Sequence, residues 1–304
     1  MIAHENASHS PGIPVGKPVQ RPTSWWLGIL KRRAERMYDE KLDLSKPVEF
    51  SSDEERKACI AFFNAAYRAE ESGLSGAHKL AEEVRAWDPE LAECLVLYGN
   101  EEGWHRELLE EFLDHIGSGV TPMGWMVRSF YKTYSRAERM ESVMLTNLMF
   151  ETIGATTYRL SLRRVAQPLP RQVLKILTRD ESFHVPLNVH FIRSMLERHP
   201  GRSRFRLRLI YQVVFHSLVL MSYGSRKVAE EFDHVSSRDL TTAYVENLGR
   251  LFAQEKDLDF HPPRLLLRAF GVTDEKLAED GPGAISVEAA EKAARREKVE
   301  VTAL

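Results

Sequence analysis

Apolar residues recur every three or four positions over most of the chain between residues 24 and 272. This is the period of an amphipathic α-helix that buries one face. No stretch shows the strict alternation of apolar and polar residues that predicts a half-buried strand. The sequence therefore predicts an all-α fold built from several long helices.

Capping signals divide this helical pattern into segments. Ser52 followed by Glu55 forms a capping box, and Asp88 followed by Pro89 combines an N-cap residue with a proline at the first helical position. Ser135 with Glu138 is a second capping box, and Pro168 and Pro170 break the pattern once more. These signals predict four bundle helices, over about 52–87, 88–117, 136–166 and 171–198.

The segments outside these four helices predict the domain organisation. Residues 1–23 are rich in Pro, Ser and Gly and predict a disordered lead, and residues 273–304 predict a mobile tail. The helical domain then spans 24–272, with its four-helix core at about 52–198. Additional helices are predicted over about 24–39, 203–232, 238–256 and 262–270, and a connecting helix starts near Thr121. The 24–39 helix, which has an apolar end and a basic end, is expected to pack across the core; contact with a membrane surface or an acidic partner is the alternative.

Two short strings in the second and fourth predicted helices point to chemistry. They are Glu102-Gly-Trp-His105 and Glu181-Ser-Phe-His184. Residues three apart lie on one helix face, so the Glu and His of each string can reach one metal ion together. Apolar residues lie about one turn away on either side of each string, and a charged group on such a stripe must be paired or metal-bound.

A single glutamate precedes each string by about thirty positions. Glu151 precedes the second string, and either Glu70 or Glu71 precedes the first. In an antiparallel helix pair with ligands near mid-length, about four turns lead from one ligand to a short loop and about four turns lead back to the next, which accounts for this spacing at 3.6 residues per turn. Glu70 is favoured because its helical stripe is otherwise apolar, whereas the stripe through Glu71 is polar; the choice stays open.

One Glu and one Glu-x-x-His per helix pair, repeated twice, is the ligand pattern of a two-metal site in a helical bundle. Carboxylate oxygens can bridge two cations, and imidazole suits iron as a ligand. The alternative is that the two strings are coincidental surface motifs. A third string, Glu231 to His234, lies in a charged run near a predicted helix end and is interpreted as coincidence.

Composition restricts partners and location. The net charge of −2 gives no global basic field for nucleic acid. Cys59 and Cys94 are the only cysteines, so a reduced, cytoplasmic setting is expected. The absence of a Cys-x-x-Cys pair means that electrons must come from an external donor, a separate reductase, or from the substrate. The most apolar run, 209–223, is too short for a membrane span, and the N-terminus lacks a signal-peptide core.

With these motifs, the region 52–198 resembles the ferritin-like di-iron carboxylate proteins. The paired acids Glu101-Glu102 and Asp180-Glu181 look most like the oxygenase and desaturase branches, which include the soluble acyl-carrier-protein desaturases and the arylamine N-oxygenases. The resemblance implies a ferritin-like four-helix bundle that holds two Fe, with a Mn/Fe form left open. It implies that Asp180 and Glu101 orient ligand histidines, and that Glu102 bridges the metals. The implied ligands are Glu70, Glu102 and His105 for one iron, with help from Glu151, and Glu151, Glu181 and His184 for the other.

The implied function is that of an O2-activating di-iron oxygenase or oxidase, of hydroxylase, desaturase or N-oxygenase type, acting on a small or acyl-type substrate. Glu102, Glu151 and Glu181 would form its catalytic centre. Leu177 stands where the N-oxygenases carry an extra histidine, and Gly154 and Ala155 stand where desaturases carry a hydroxyl residue, so no branch is assigned. A non-catalytic iron-storage protein, a peroxide scavenger and a metal-free interaction protein are the alternatives. A homodimer stays open.

Overall fold

In the computed structural model, the chain forms helices joined by short connections. The structure describes residues 21–123, 128, 140–198, 202–258, 260 and 263–278. No strand occurs within these ranges, which confirms the all-α class. The helices are α1 (Thr23–Ala34), α2 (Asp53–Val84), α3 (Pro89–His115), α4 (Met140–Arg164), α5 (Pro168–Arg198), α6 (Arg202–Asp233), α7 (Ser237–Gln254), α8 (Arg264–Ala269) and α9 (Asp274–Ala278), with 3-10 turns at Met37–Asp39 and Lys256–Leu258.

The starts of α2 and α3 follow the predicted caps. The Ser52 hydroxyl accepts a hydrogen bond from the Glu55 backbone N–H at 3.0 Å, and the Asp88 carboxylate accepts one from the Leu91 N–H at 2.9 Å. Each bond satisfies one of the N–H groups that the first turn of a helix leaves without a partner. Local sequence therefore fixes where these two helices begin.

Two predicted boundaries differ from the structure. Helix α5 begins at Pro168 rather than after Pro170, since a proline in the first turn lacks only an N–H that would have no helical partner there. Helix α1 ends at Ala34, and the 3-10 turn at Met37–Asp39 takes over where one continuous helix was expected. The capping box at Ser135, most of the expected connecting helix, the lead over 1–20 and the tail beyond residue 278 lie outside the described residues.

The four long helices α2 to α5, called the central helices below, pack as two pairs. Helix α2 lies along α3 and α4 along α5, and contacts between α2 and α4 and between α3 and α5 join the pairs. Helix α1 packs on α3, and α6 and α7 pack on α4. Two buried apolar clusters fill the space between the central helices, one containing Phe63 and Leu174 and the other containing Leu95 and Phe191. Between these clusters the helices carry polar side chains.

Among the described helices, none combines the length and the apolar character that a membrane span needs.

Candidate metal centre

Each central helix contributes charged or imidazole side chains to one buried layer. All six predicted ligands lie in this layer, and none is more than 7% exposed. They are Glu70 on α2, Glu102 and His105 on α3, Glu151 on α4, and Glu181 and His184 on α5. Four carboxylates at such burial are costly unless cations or protons neutralise them.

The six side chains divide into two halves that share Glu102. In one half, the Nδ1 atom of His105 lies 3.4 Å from Glu70 Oε2 and 3.9 Å from Glu102 Oε2. In the other half, the Nδ1 atom of His184 lies 2.9 Å from Glu102 Oε1, 3.5 Å from Glu151 Oε2 and 3.7 Å from Glu181 Oε2. The Glu102 carboxylate therefore presents one oxygen to each histidine.

Several polar atoms of the layer make no hydrogen bond of acceptable geometry, although some of them lie close together. These atoms are Glu102 Oε1, Glu151 Oε2, Glu181 Oε2 and both ring nitrogens of His184. Buried polar atoms are almost always satisfied, so atoms left this way indicate a ligand. Donor atoms of Glu102, His105, Glu181 and His184 also lie within 4.8 Å of one another. The layer fits a metal ion by its donor set and by its unsatisfied atoms.

Without a cation, protons must offset the negative charge of the layer. Burial and repulsion from Glu102 raise the pKa of Glu70 to about 8. Burial and repulsion from Glu151 raise the pKa of Glu181 well above its usual range. Burial alone would lower the pKa of His184, but the neighbouring carboxylates, Glu102 foremost, raise it well above 6.5. The layer thus takes up protons where a metal would supply positive charge.

The acids that directly precede Glu102 and Glu181 in the sequence contact the two histidines. Asp180 Oδ2 lies 3.2 Å from Nε2 of His105, and Glu101 Oε2 lies 3.4 Å from Nε2 of His184. Each carboxylate therefore contacts the histidine of the other string, and it does so on the ring nitrogen that points away from the layer. Such contacts fix the tautomer and the orientation of a ligand histidine.

The structure places Glu70, and not Glu71, in the layer, and it places the third string outside the layer. Glu70 is 3% exposed and faces His105, whereas the Glu71 side chain is 41% exposed and pairs with Arg68. Helix α6 ends at Asp233, so Glu231 and His234 lie at a helix end, where both are exposed.

Three residues that contact the layer were not predicted in these roles. The Tyr98 hydroxyl donates to Glu151, and the Tyr158 hydroxyl donates to Glu70 Oε1 at 3.0 Å. Tyr98 lies four positions before Glu102 on α3, and Tyr158 lies seven positions after Glu151 on α4. The third residue, Arg33 of α1, is buried against Glu101 and Asp180.

Comparisons of the chain with known proteins were made at three levels. No protein-family model, no curated protein and no solved structure matches it.

A small cavity adjoins the layer on its carboxylate side, between α2 and α4. Its volume is about 20 Å³, enough for one molecule of about the size of water. All four carboxylates of the layer line it, together with small residues and the rings of Phe150 and Tyr158. Neither histidine lines this cavity, so it meets the layer from the side opposite to them.

Replacing Glu70 with glutamine is expected to weaken metal binding by at least about 100-fold, the upper range for mutations in the partners that orient ligands. Glu71→Gln is the matched control, because the Glu71 side chain is partly exposed and pairs with Arg68. Anaerobic iron(II) titration by calorimetry measures both affinities. Equal affinities for the two variants would remove Glu70 from the ligand set.

Gly73→Ala is expected to weaken metal binding about tenfold, which corresponds to ~1.4 kcal/mol. A Cβ atom at Gly73 would lie 3.2 Å from Cγ of Glu102 and push that carboxylate out of position. At Gly76, one turn along, the nearest contact of a Cβ atom would be an ordinary 3.5 Å to Asn147. Gly76→Ala is therefore the control, since both variants gain the same helix propensity. The same titration contradicts the prediction if the two variants bind metal equally.

Proposed function

We propose that the chain is an O2-activating di-iron oxygenase or oxidase. The observation that carries the proposal is the position of Glu102, which presents one oxygen to each of two histidines. Each histidine also faces further carboxylates, Glu70 on one side and Glu151 with Glu181 on the other. This arrangement provides two adjacent ligand sets that share one carboxylate, as a two-metal centre requires. A manganese–iron pair would use the same donors.

The order of the ligands along the helices supports a ferritin-like four-helix bundle. The first helix of each pair carries one glutamate, and the second carries Glu-x-x-His. The two pairs thereby repeat one ligand pattern, which is the arrangement of ferritin-like carboxylate proteins.

When bound, two irons would supply the redox chemistry with dioxygen that amino-acid side chains lack. The chain supplies the surroundings of that chemistry. The two apolar clusters exclude water from the layer along the helix direction. Tyr98 and Tyr158 hold Glu151 and Glu70 through their hydroxyl groups, so these carboxylates keep fixed orientations. The cavity beside the four carboxylates has room for one molecule of about the size of water.

The substrate is proposed to be a small or acyl-type organic molecule that approaches the layer from the side of this cavity. Phe150 and the half-buried small residues Ala69, Ser72, Gly73 and Gly154 line the cavity there. The cavity is too small for an organic substrate, so α2 and α4 would have to separate, or their side chains rearrange, to admit one. Electrons are proposed to come from an external donor.

Metal analysis tests the proposal directly. The protein is loaded with iron(II) without oxygen, freed of excess metal, analysed by plasma emission and then exposed to air. About two irons per chain and an oxygen-dependent visible absorption band are expected. A protein that stays metal-free after loading would overturn the proposal and leave a helical protein whose two strings are coincidental.

The same preparation separates the two alternatives. Many irons per chain in a large shell, measured by light scattering, would indicate iron storage. Rapid consumption of hydrogen peroxide by the reduced protein, without oxidation of any organic compound, would indicate a peroxide scavenger.

A further inference from the structure

Arg33 belongs to α1, outside the four central helices, and yet its side chain is only 1% exposed. Its Nε atom donates to Glu101 Oε2 at 3.0 Å, and its Nη2 atom donates to Asp180 Oδ1 at 2.9 Å. A second bond joins Nη2 to the other oxygen of Glu101. One guanidinium thus holds two carboxylates that belong to different central helices, α3 and α5.

These two carboxylates are the ones that contact the histidines. Asp180 accepts from Nε2 of His105, and Glu101 lies against Nε2 of His184. The contacts cross between helices, since Glu101 is on α3 and His184 on α5. Arg33 therefore contacts both carboxylates, and one carboxylate lies between it and each histidine.

The geometry also distinguishes two places where a cation could lie. Donor atoms of Glu101, His105 and Asp180 come as close together as those of the ligand layer. The Arg33 guanidinium already contacts both of these carboxylates, and the Arg179 guanidinium donates two further bonds to Asp180 at 2.8 Å, so two arginines supply the positive charge of that group. A metal is then directed to the Nδ1 side of the histidines, where the unsatisfied carboxylate oxygens lie.

Helix α1 contacts α5 next to His184. The Arg33 guanidinium lies over the Phe183 ring at 4.4 Å from its centroid, and Trp26 contacts the same ring at 5.8 Å between centroids. Phe183 directly precedes His184. Arg33 is thus seated by packing as well as by charge, and its position depends on the docking of α1.

We propose that Arg33 is a positioning residue for the metal centre. It holds Glu101 against Nε2 of His184 and, together with Arg179, holds Asp180 against Nε2 of His105, and these contacts keep both Nδ1 atoms aimed into the ligand layer. Docking of α1 is then a condition for tight metal binding. The inference rests on the proposed metal centre for its consequence, but the histidine orientation itself can be measured without metal.

The test compares Arg33→Met and Arg33→Lys with Arg32→Met, whose side chain is exposed on the same helix. Nitrogen-15 labelling of histidine reports, in the metal-free protein, which ring nitrogens carry protons that exchange slowly with water. His105→Asn and His184→Asn variants assign the two signals. Anaerobic iron(II) titration then measures metal affinity, and circular dichroism shows that each variant folds.

In the native protein both histidines are expected to show a protected proton on Nε2. Arg33→Met should lose this protection at His184, whose partner Glu101 is held by Arg33, and show weaker protection at His105, whose partner Asp180 keeps its bonds to Arg179. It should bind iron at least about tenfold more weakly, the effect typical of residues that orient ligands. Arg33→Lys keeps one positive charge, so it should fold even if Arg33→Met does not. Its ammonium lacks the planar fork that spans both carboxylates, so at least one Nε2 signal should lose protection.

Protected Nε2 protons in a folded Arg33→Met or Arg33→Lys protein would overturn the positioning role. A merely structural ion pair would lower the melting temperature and leave these signals unchanged. If the native protein binds no iron but loses its Nε2 protection in the Arg33 variants, the proposed function fails while the orientation of the histidines by Arg33 stands.

Discussion

Alanine at Glu102 is expected to abolish iron binding, and alanine at Glu181 is expected to leave at most one iron per chain. Glu102 presents an oxygen to both histidines, so its removal takes a donor from both halves of the layer. Glu181 faces only His184 among the histidines of the layer, so the half made by Glu70, Glu102 and His105 keeps its donors. Plasma emission analysis after anaerobic loading gives the iron content of each variant.

Glu107→Ala and Glu197→Ala are the matched controls for this experiment. Both glutamates are exposed, and they lie on the same two helices as Glu102 and Glu181. The controls should keep the full iron content of the native protein. If the Glu102 and Glu181 variants fold and also keep it, the assignment of the metal centre to this layer is wrong.

The melting temperature of the metal-free Glu181→Ala protein tests how much the buried carboxylates of the layer destabilise the fold. Burial and repulsion from Glu151 keep the Glu181 carboxylate in an unfavourable setting, as the raised pKa shows. Removal of Glu181 relieves this repulsion, and the relief offsets part of the packing energy that is lost with its side chain. The metal-free Glu181→Ala protein should melt close to the metal-free native protein, since groups kept for function are commonly unfavourable for stability.

The helices and the ligand layer could be predicted because local features determine them. The caps at Ser52 and Asp88 act within four residues, and the spacing of Glu102 from His105 is less than one helical turn. Burial of Glu70 followed from its apolar stripe, which places it on the inner face of α2. Periodicity brings such residues to one face whatever the rest of the chain does.

Arg33 and the two tyrosines could not be assigned in the same way. The contact of Arg33 with Asp180 joins residues 147 positions apart, and that of Tyr158 with Glu70 joins residues 88 apart. One signal for Arg33 was nonetheless present. It lies seven positions after Trp26 and three after Leu30, on the buried stripe of α1, and a charged residue on such a stripe requires a partner.

The stability of the metal-free protein is expected to fall as the pH rises from about 5 to 8. The folded-state pKa of Glu70 is raised from 4.5 to about 8, and that of Glu181 is also raised. Between the unfolded and folded pKa values the folded protein binds more protons than the unfolded chain, so rising pH favours unfolding. The raised pKa values of His105 and His184 act in the same direction above pH 6.5.

Glu70 alone contributes of the order of 3 kcal/mol to the loss, because each unit by which a folded pKa of an acid exceeds its unfolded value corresponds to about 1.4 kcal/mol. The lowered pKa values of Glu101, Glu102 and Asp180 add stability that is lost only below about pH 4, so they do not offset the fall within this window. Thermal melts of chelator-treated protein at pH 5, 6, 7 and 8 measure the trend. Glu70→Gln should make it smaller by the share of Glu70, whereas Glu71→Gln should leave it unchanged.

Metal loading is expected to reverse this pH dependence. Bound cations require deprotonated ligands, so binding releases the protons that the metal-free layer holds, and metal affinity rises with pH. The stabilisation by metal, measured as the shift in melting temperature on loading, should therefore be larger at pH 8 than at pH 5. A metal-free protein whose stability is constant from pH 5 to 8 would show that the layer is not protonated in place of a cation. The carboxylates would then have to be neutralised from elsewhere, and the electrostatic case for a metal between them would be lost.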